Sequence, residues 1–206
     1  MSEISTMVYV VDDDAAARES LEALLLSAGH DVQTFENGET FLEAYSPDWA
    51  GCAVLDVRMP GLSGLQVQEE LVNRQSTLPV IIVTGHGDLP MAVRAMQAGA
   101  LDFIEKPYDE ERLFESVELA VQTGQQQAEA SQALTALKER FDQLTPRERE
   151  VLVEVAYGHP NKVVAHKLGI SARTVEIHRA RVVEKMQARS LSHLVRMAIQ
   201  LGLLSE

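Results

Sequence analysis

Five short apolar runs, mostly β-branched, recur through the first half of the chain: MVYVV from Met7, DVQTF from Asp31, CAVLDV from Cys52, LPVIIVT from Leu78 and LDFIE from Leu101. Each is followed by a stretch with helical spacing of its apolar residues: Ala15–Ala28, Gly38–Ala44, Gly64–Asn73, Leu89–Ala98 and Glu110–Val121. Short β-branched runs read as strands, and alternation with helices predicts βαβ units around a parallel sheet. The near-continuous apolar character of the strands suits a sheet covered on both faces. The expected fold is a doubly wound, five-stranded α/β domain over residues 1–121.

Beyond it the pattern changes. Residues 122–141 are polar and rich in Ala and Gln, without strand periodicity. They read as a helical linker, continuous with the fifth helix. Leu134, Leu137, Phe141 and Leu144 form a seam too short for a coiled coil, and packing onto the following domain is the simpler reading. Residues 142–206 are expected to form an all-α domain of four helices. LTPREREVL is a helix start, with Thr145 as cap, Pro146 at the first position and Glu148 completing a capping box. NKVVAHKLG is a short helix ending at Gly169. Ser171 and Ser190 can cap the last two helices.

Charge separates the two halves. The net charge is −13, yet residues 1–121 carry 6 Lys/Arg against 22 Asp/Glu, while residues 161–196 carry 8 basic and 2 acidic residues. Such asymmetry predicts different partners for the two parts, with the basic segment matched to a phosphate backbone. No apolar stretch is long enough to span a bilayer. The N-terminal MSEISTMVYVV lacks a basic region before its short apolar run and reads as a strand rather than a signal peptide. A single cysteine, Cys52, excludes an internal disulfide. A cytoplasmic protein without a membrane partner is the expectation.

The acidic half contains a pattern that needs explanation. Asp12, Asp13 and Asp14 follow the first strand directly. In a doubly wound sheet, ligands lie beyond the carboxyl ends of the strands. Strand one ends at Asp12 and Asp13, strand three at Asp56, strand four at Thr84, and strand five at Glu105-Lys106-Pro107. Carboxylates converging on one rim need a cation, and an all-oxygen site suits Mg²⁺. A carboxylate such as Asp56 can attack phosphorus and form an acyl phosphate, with Lys106 and Thr84 binding the phosphoryl oxygens. The alternative for any one of these residues is an ordinary turn or cap.

The motifs VVDDD, LDVRMPGLSG, VTGHGD and AGALDFIEKPY together resemble the receiver domain of bacterial two-component response regulators. The segment from LTPREREVL through NKVVAHKLGISARTVEIHRARVVEKM to SLSHLVRMAI resembles a LuxR/NarL-type output domain. The whole chain thus resembles the FixJ type. The resemblance implies a flavodoxin/CheY-like receiver and a helix-turn-helix domain in a non-enzymatic transcriptional regulator. It implies Asp56 as phosphoacceptor, with Mg²⁺ held by Asp12, Asp13, Asp56 and the Arg58 carbonyl. It further implies phosphoryl binding by Thr84 and Lys106, a cis Lys106–Pro107 bond, and a switch through Thr84 and Phe103. Arg58 and His86 occupy positions that modulate acyl-phosphate lifetime. Asp14 reads as a helix cap.

In the basic half, the helix from Ala172 carries Val175, Val182 and Met186 on a side suited to the bundle. By resemblance, Lys162, Thr174, Val175, His178, Arg179, Arg181 and Lys185 are candidate DNA contacts, with base reading by Thr174, Val175, His178 and Arg179. Implied partners are a sensor histidine kinase, double-stranded DNA and RNA polymerase, with homodimerisation on phosphorylation. Leu191, Leu194, Val195 and Leu201 suit either bundle core or a dimer seam. Two other readings stay open. A haloacid-dehalogenase-like phosphatase would use Asp12 and Asp14, although Ala16 departs from its motif and the domain has no room for a cap. A phosphorylated adaptor would not touch DNA.

Overall fold

The computed structural model describes residues 6–85 and 89–204. The chain divides between Ala130 and Ser131 into two compact units. The first contains β1 (Met7–Val11), α1 (Ala15–Ser27), β2 (Asp31–Phe35), α2 (Gly38–Ala44), β3 (Gly51–Asp56), α3 (Gly64–Asn73), β4 (Val80–Thr84), α4 (Leu89–Gln97), β5 (Asp102–Glu105) and the start of α5 (Glu110–Asp142).

The strands form one parallel sheet in the order β2-β1-β3-β4-β5. Period-2 alternation sends neighbouring residues to opposite faces. Val8 and Val10 join Leu21, Leu25, Val54, Ile81, Leu113 and Val117 in one layer. Tyr9 and Val11 join Phe41, Leu55, Val67, Leu71 and Ile82 in the other. Both faces are therefore covered, as continuous apolar strands require. Strand pairing places Val11 beside Leu55, Asp56 beside Val83 and Thr84 beside Glu105, so the carboxyl ends of β1, β3, β4 and β5 meet at one rim.

α5 continues without a break across the polar stretch to Asp142. Gly124 sits within it because the helix passes against the start of β3: a Cβ there would lie 1.8 Å from the Gly51 carbonyl oxygen. Gly51 has φ +115° and is itself crowded by Met7, whose carbonyl oxygen lies 1.9 Å from where a Cβ would stand. The glycine at 124 thus permits a close approach of helix to sheet, and the glycine at 51 a close approach to β1.

The second unit contains the end of α5, then α6 (Pro146–Ala156), α7 (Asn161–Leu168), α8 (Ala172–Met186) and α9 (Leu191–Gln200). Thr145 and Glu148 form the expected capping box, and Ser171 and Ser190 cap α8 and α9. The seam predicted from Leu134 onward packs inward, with Leu137 and Leu144 in the core beside Val151, Leu152, Val175, Val182 and Met186. Among the described residues, no helix is long and apolar enough to cross a membrane.

Candidate functional site

The rim of the first unit gathers three charged side chains from distant parts of the sequence. Asp12 and Asp56 are buried, at 5% and 8% exposure. The Lys106 ammonium donates to Asp12 Oδ2 at 2.6 Å and to Asp56 Oδ1 at 2.9 Å. Local structure fixes each partner. Asp12 Oδ1 accepts from the Asp14 amide at 2.9 Å, and the Arg18 guanidinium donates to the Asp12 carbonyl at 2.6 Å. Asp56 Oδ2 accepts from the Arg58 amide at 2.6 Å. The Lys106 amide donates to the carbonyl of fully buried Thr84 at 2.8 Å. The Lys106–Pro107 bond is cis, as expected.

Electrostatics at this rim is a contest between burial and pairing. Burial pushes the Asp56 carboxyl above the usual carboxylate range; Lys106 and the Arg58 amide oppose this without cancelling it. Burial would lower the Lys106 ammonium, but hydrogen bonds to Asp12 and Asp56, together with their charges, hold it above the ordinary lysine value. A hydrogen-bonded carboxylate beside a fixed ammonium is suited to receive a phosphoryl group: Asp56 offers the nucleophile, and Lys106 a cation for the transferred oxygens.

The remaining sequence candidates fall in varied places. Asp13 is exposed and makes no hydrogen bond among the described residues. Asp14 caps α1, accepting from the Ala16 and Ala17 amides at 2.9 and 3.3 Å. Among the described residues, no group of three or more His, Cys, Asp or Glu side chains is gathered closely enough to hold a metal ion. Arg58 is exposed. Phe103 is half-buried against the aromatic-rich layer and lines a groove with Leu89, Ala92 and Tyr108. His86 lies outside the described residues.

Two positioning groups were not anticipated. Arg18 clamps the Asp12 carbonyl, and Glu39 accepts from the Leu62 amide at 3.0 Å, bracing the loop that follows Asp56. Neither carries a local sequence signal, since each acts through tertiary proximity to backbone.

In the second unit, α7 and α8 form a helix-turn-helix. Gly169 closes α7 in the left-handed region at φ 65°, and the Ser171 hydroxyl accepts from the Thr174 amide at 3.1 Å. Lys162 and Arg181 are exposed, whereas Thr174, His178 and Arg179 are half-buried. Arg179 donates to Asn161 Oδ1 at 2.6 Å. The Lys185 ammonium donates to Glu148 Oε2 at 2.6 Å and to the Gln143 carbonyl at 3.2 Å. Glu148 is 2% exposed, and Lys185 holds its carboxyl below the usual range.

Val175 requires a correction. Its side chain is 0% exposed and belongs to the bundle core, so it cannot reach a base edge. The sequence allowed it either side of α8, and core packing wins. The solvent face instead runs through Arg173, Glu176, Ile177, Ala180 and Arg181 to Val183 and Glu184. Of these only Arg181 was a sequence candidate; Arg173, Glu176, Ile177 and Ala180 escaped, although residues 173, 176, 177 and 180 follow the three- and four-residue spacing of one helix face. On α9, Leu194 is buried, Leu191 is 50% exposed, and Val195 is half-buried. Leu201, also half-buried, caps the end of that helix.

Comparison with known proteins identifies the family of each unit. Residues 8–118 match the response regulator receiver domain family, and residues 142–198 match the luxR family of bacterial regulatory proteins. The chain is 45% identical over 199 residues to the transcriptional regulatory protein FixJ of Bradyrhizobium diazoefficiens, covering 97% of each chain. It is 40% identical over 201 residues to the response regulator TodT of Pseudomonas putida F1, covering 98% of this chain and 88% of that one. Among solved structures, the response regulator StyR matches with a TM-score of 0.85 at 42% identity, covering 95% of this chain and 99% of StyR. With its receiver-type rim and its helix-turn-helix, the chain belongs to the response regulators with a LuxR-family output domain, and it is a transcriptional regulator of that family.

Proposed function

We propose that Asp56 is the phosphoacceptor and that its modification controls DNA binding by the helix-turn-helix. The observation carrying this reading is the single ammonium of Lys106 within hydrogen-bond distance of both Asp12 and Asp56. A partner histidine kinase would supply phosphohistidine. An Asp56 oxygen attacks phosphorus, the P–N bond breaks, and the imidazole leaves with the electron pair. Lys106 moves from its carboxylate partners to a phosphoryl oxygen, and the Thr84 hydroxyl donates to another. Phe103, beside the groove, turns inward as Thr84 shifts.

The donors Asp12, Asp13, Asp56 and the Arg58 carbonyl are all hard oxygens of the kind Mg²⁺ takes, and Asp13 has an uncommitted carboxylate; to hold the ion the three carboxylates would draw closer together than they stand here. When bound, that ion neutralises charge on the phosphoryl oxygens. Residues 1–121 act as the receiver, 122–141 as linker and 142–206 as the output domain. Lys162 and Arg181 hold DNA phosphates directly. Arg179 and Lys185 contact DNA by sharing or leaving Asn161 and Glu148, and Thr174 and His178 approach the bases. Phosphorylation promotes homodimerisation, the bound dimer engages RNA polymerase, and the protein works in the cytoplasm.

Mass spectrometry after treatment with acetyl phosphate and Mg²⁺ tests the reading. A phosphoryl adduct on Asp56, absent in Asp56→Asn, is expected; turnover through Asp12 without an Asp56 adduct would favour the phosphatase. Footprinting on genomic DNA separates the regulator from an adaptor, which would protect no sites.

A further inference from the structure

We infer that Glu176 is a specificity-determining residue, selecting the amino group of a cytosine in the stretch of DNA that each copy reads. This rests on the proposal that α8 enters the major groove.

The exposed face of α8 starts near its N-terminus with Arg173, followed by Glu176, Ile177, Ala180 and Arg181. The N-terminal part of a recognition helix is the part that meets base edges. Glu176 lies within that part, one turn from the capped end at Ser171. Ala180, one turn further along the same face, is small enough to let the helix backbone approach the groove floor. Ile177 is 48% exposed and offers an apolar surface beside the carboxylate.

Glu176 is not committed within the protein. It makes no hydrogen bond or ion pair among the described residues. Of the arginines one turn to either side, Arg179 is spent on Asn161 at 2.6 Å, and Arg173, exposed on the same face, forms no ion pair with Glu176 among the described residues. Position 180, where a helix would supply an i,i+4 counterion, is alanine. An uncompensated carboxylate on a surface that meets a polyanion weakens phosphate binding unless it finds a donor.

The major groove offers few donors to an ionised carboxylate, which can only accept. Cytosine presents its N4 amino group, and adenine presents N6 next to the N7 acceptor. The adjacent N7 repels a second carboxylate oxygen, whereas a glutamine amide complements the N6/N7 pair. A carboxylate therefore favours cytosine, and an amide of the same shape favours adenine.

In vitro selection from a randomised DNA library tests this with the intact chain, treated with acetyl phosphate and Mg²⁺, as wild type, Glu176→Gln and Glu176→Ala. The wild type is expected to prefer cytosine at one position by about tenfold or more. Glu176→Ala should lose that preference alone and retain the rest of the motif. Glu176→Gln should move the preference to adenine. The assignment is overturned if all three proteins select the same bases, or if the substitutions strengthen binding equally at every base, which would leave Glu176 a repulsive charge only. A wild type that selects no motif would instead refute the groove-docking reading itself. Glu176 is exposed and outside the core, so both variants retain the fold.

Discussion

The two charged regions of this molecule use charge in opposite ways. At the receiver rim, Asp12 and Asp56 are almost wholly buried and locked onto Lys106 by short hydrogen bonds. On α8, Arg173, Glu176 and Arg181 stand in solvent. Buried charges are expensive to leave unpaired, so their geometry is determined before any ligand arrives. Exposed charges cost little to hold free and are screened by salt, so they remain available to a partner. Covalent transfer demands the first arrangement, since a nucleophile must be aimed. Recognition of a long polyanion demands the second, since many weak contacts sum.

The contrast can be broken most severely at its centre. Asp56→Asn should abolish the phosphoryl adduct altogether, read by intact mass after acetyl phosphate treatment. An adduct persisting on another rim carboxylate would show that aim is not confined to one oxygen. Lys106→Met should follow, lowering the adduct yield at fixed time by at least about tenfold through loss of a fixed cation. It leaves Asp12 and Asp56 without their shared partner.

Lys185 sharpens the comparison, because it is an α8 cation that behaves like a rim residue. Lys185→Met should strand the buried Glu148 carboxylate and cost roughly 2 kcal/mol, seen as faster hydrogen exchange in α6 and α8 of the intact chain. The same pair sets a pH dependence. Glu148 titrates below its ordinary value of 4.5 when folded, so its stabilising contribution is present above that value. It is lost as pH falls through the lower, folded pKa. Protection of α6 and α8 should therefore drop on acidification below about 4.5 in the wild type, and drop less in Lys185→Met. Val175→Ala should destabilise the bundle by about 2 kcal/mol while leaving base preference unchanged, as befits a core side chain.

The smallest effect belongs to the solvated charges. Lys162→Ala or Arg181→Ala should weaken binding to all DNA sequences alike and reduce the salt dependence by about one counterion each. A sequence-selective loss at either position would move that residue from phosphate holding to base reading.

Much of this was legible from sequence where the controlling interactions are local. The strands follow from β-branched runs, and the caps at Thr145, Ser171 and Ser190 follow from side chains within three residues of the amides they serve. The rim was legible too, because strand ends in this topology are forced together. What escaped depends on distance. The fourth strand begins at Val80 rather than Leu78, since Leu78 enters the core without pairing. Gly124 would weaken an isolated helix, yet α5 runs through it because the Gly51 backbone lies against that point. Glu148 reads as a capping residue and is also the partner of Lys185, 37 positions away.

Lys106 is tied at both ends: its amide to the Thr84 carbonyl on β4, its ammonium to carboxylates at the ends of β1 and β3. If the side-chain end exchanges one anion for another, the change would pass along a single residue to the main chain of β4. Occupancy of the cleft is expected to reach the backbone through this one residue, and the chemical shift of the Lys106 amide proton should then report whether the cleft is filled.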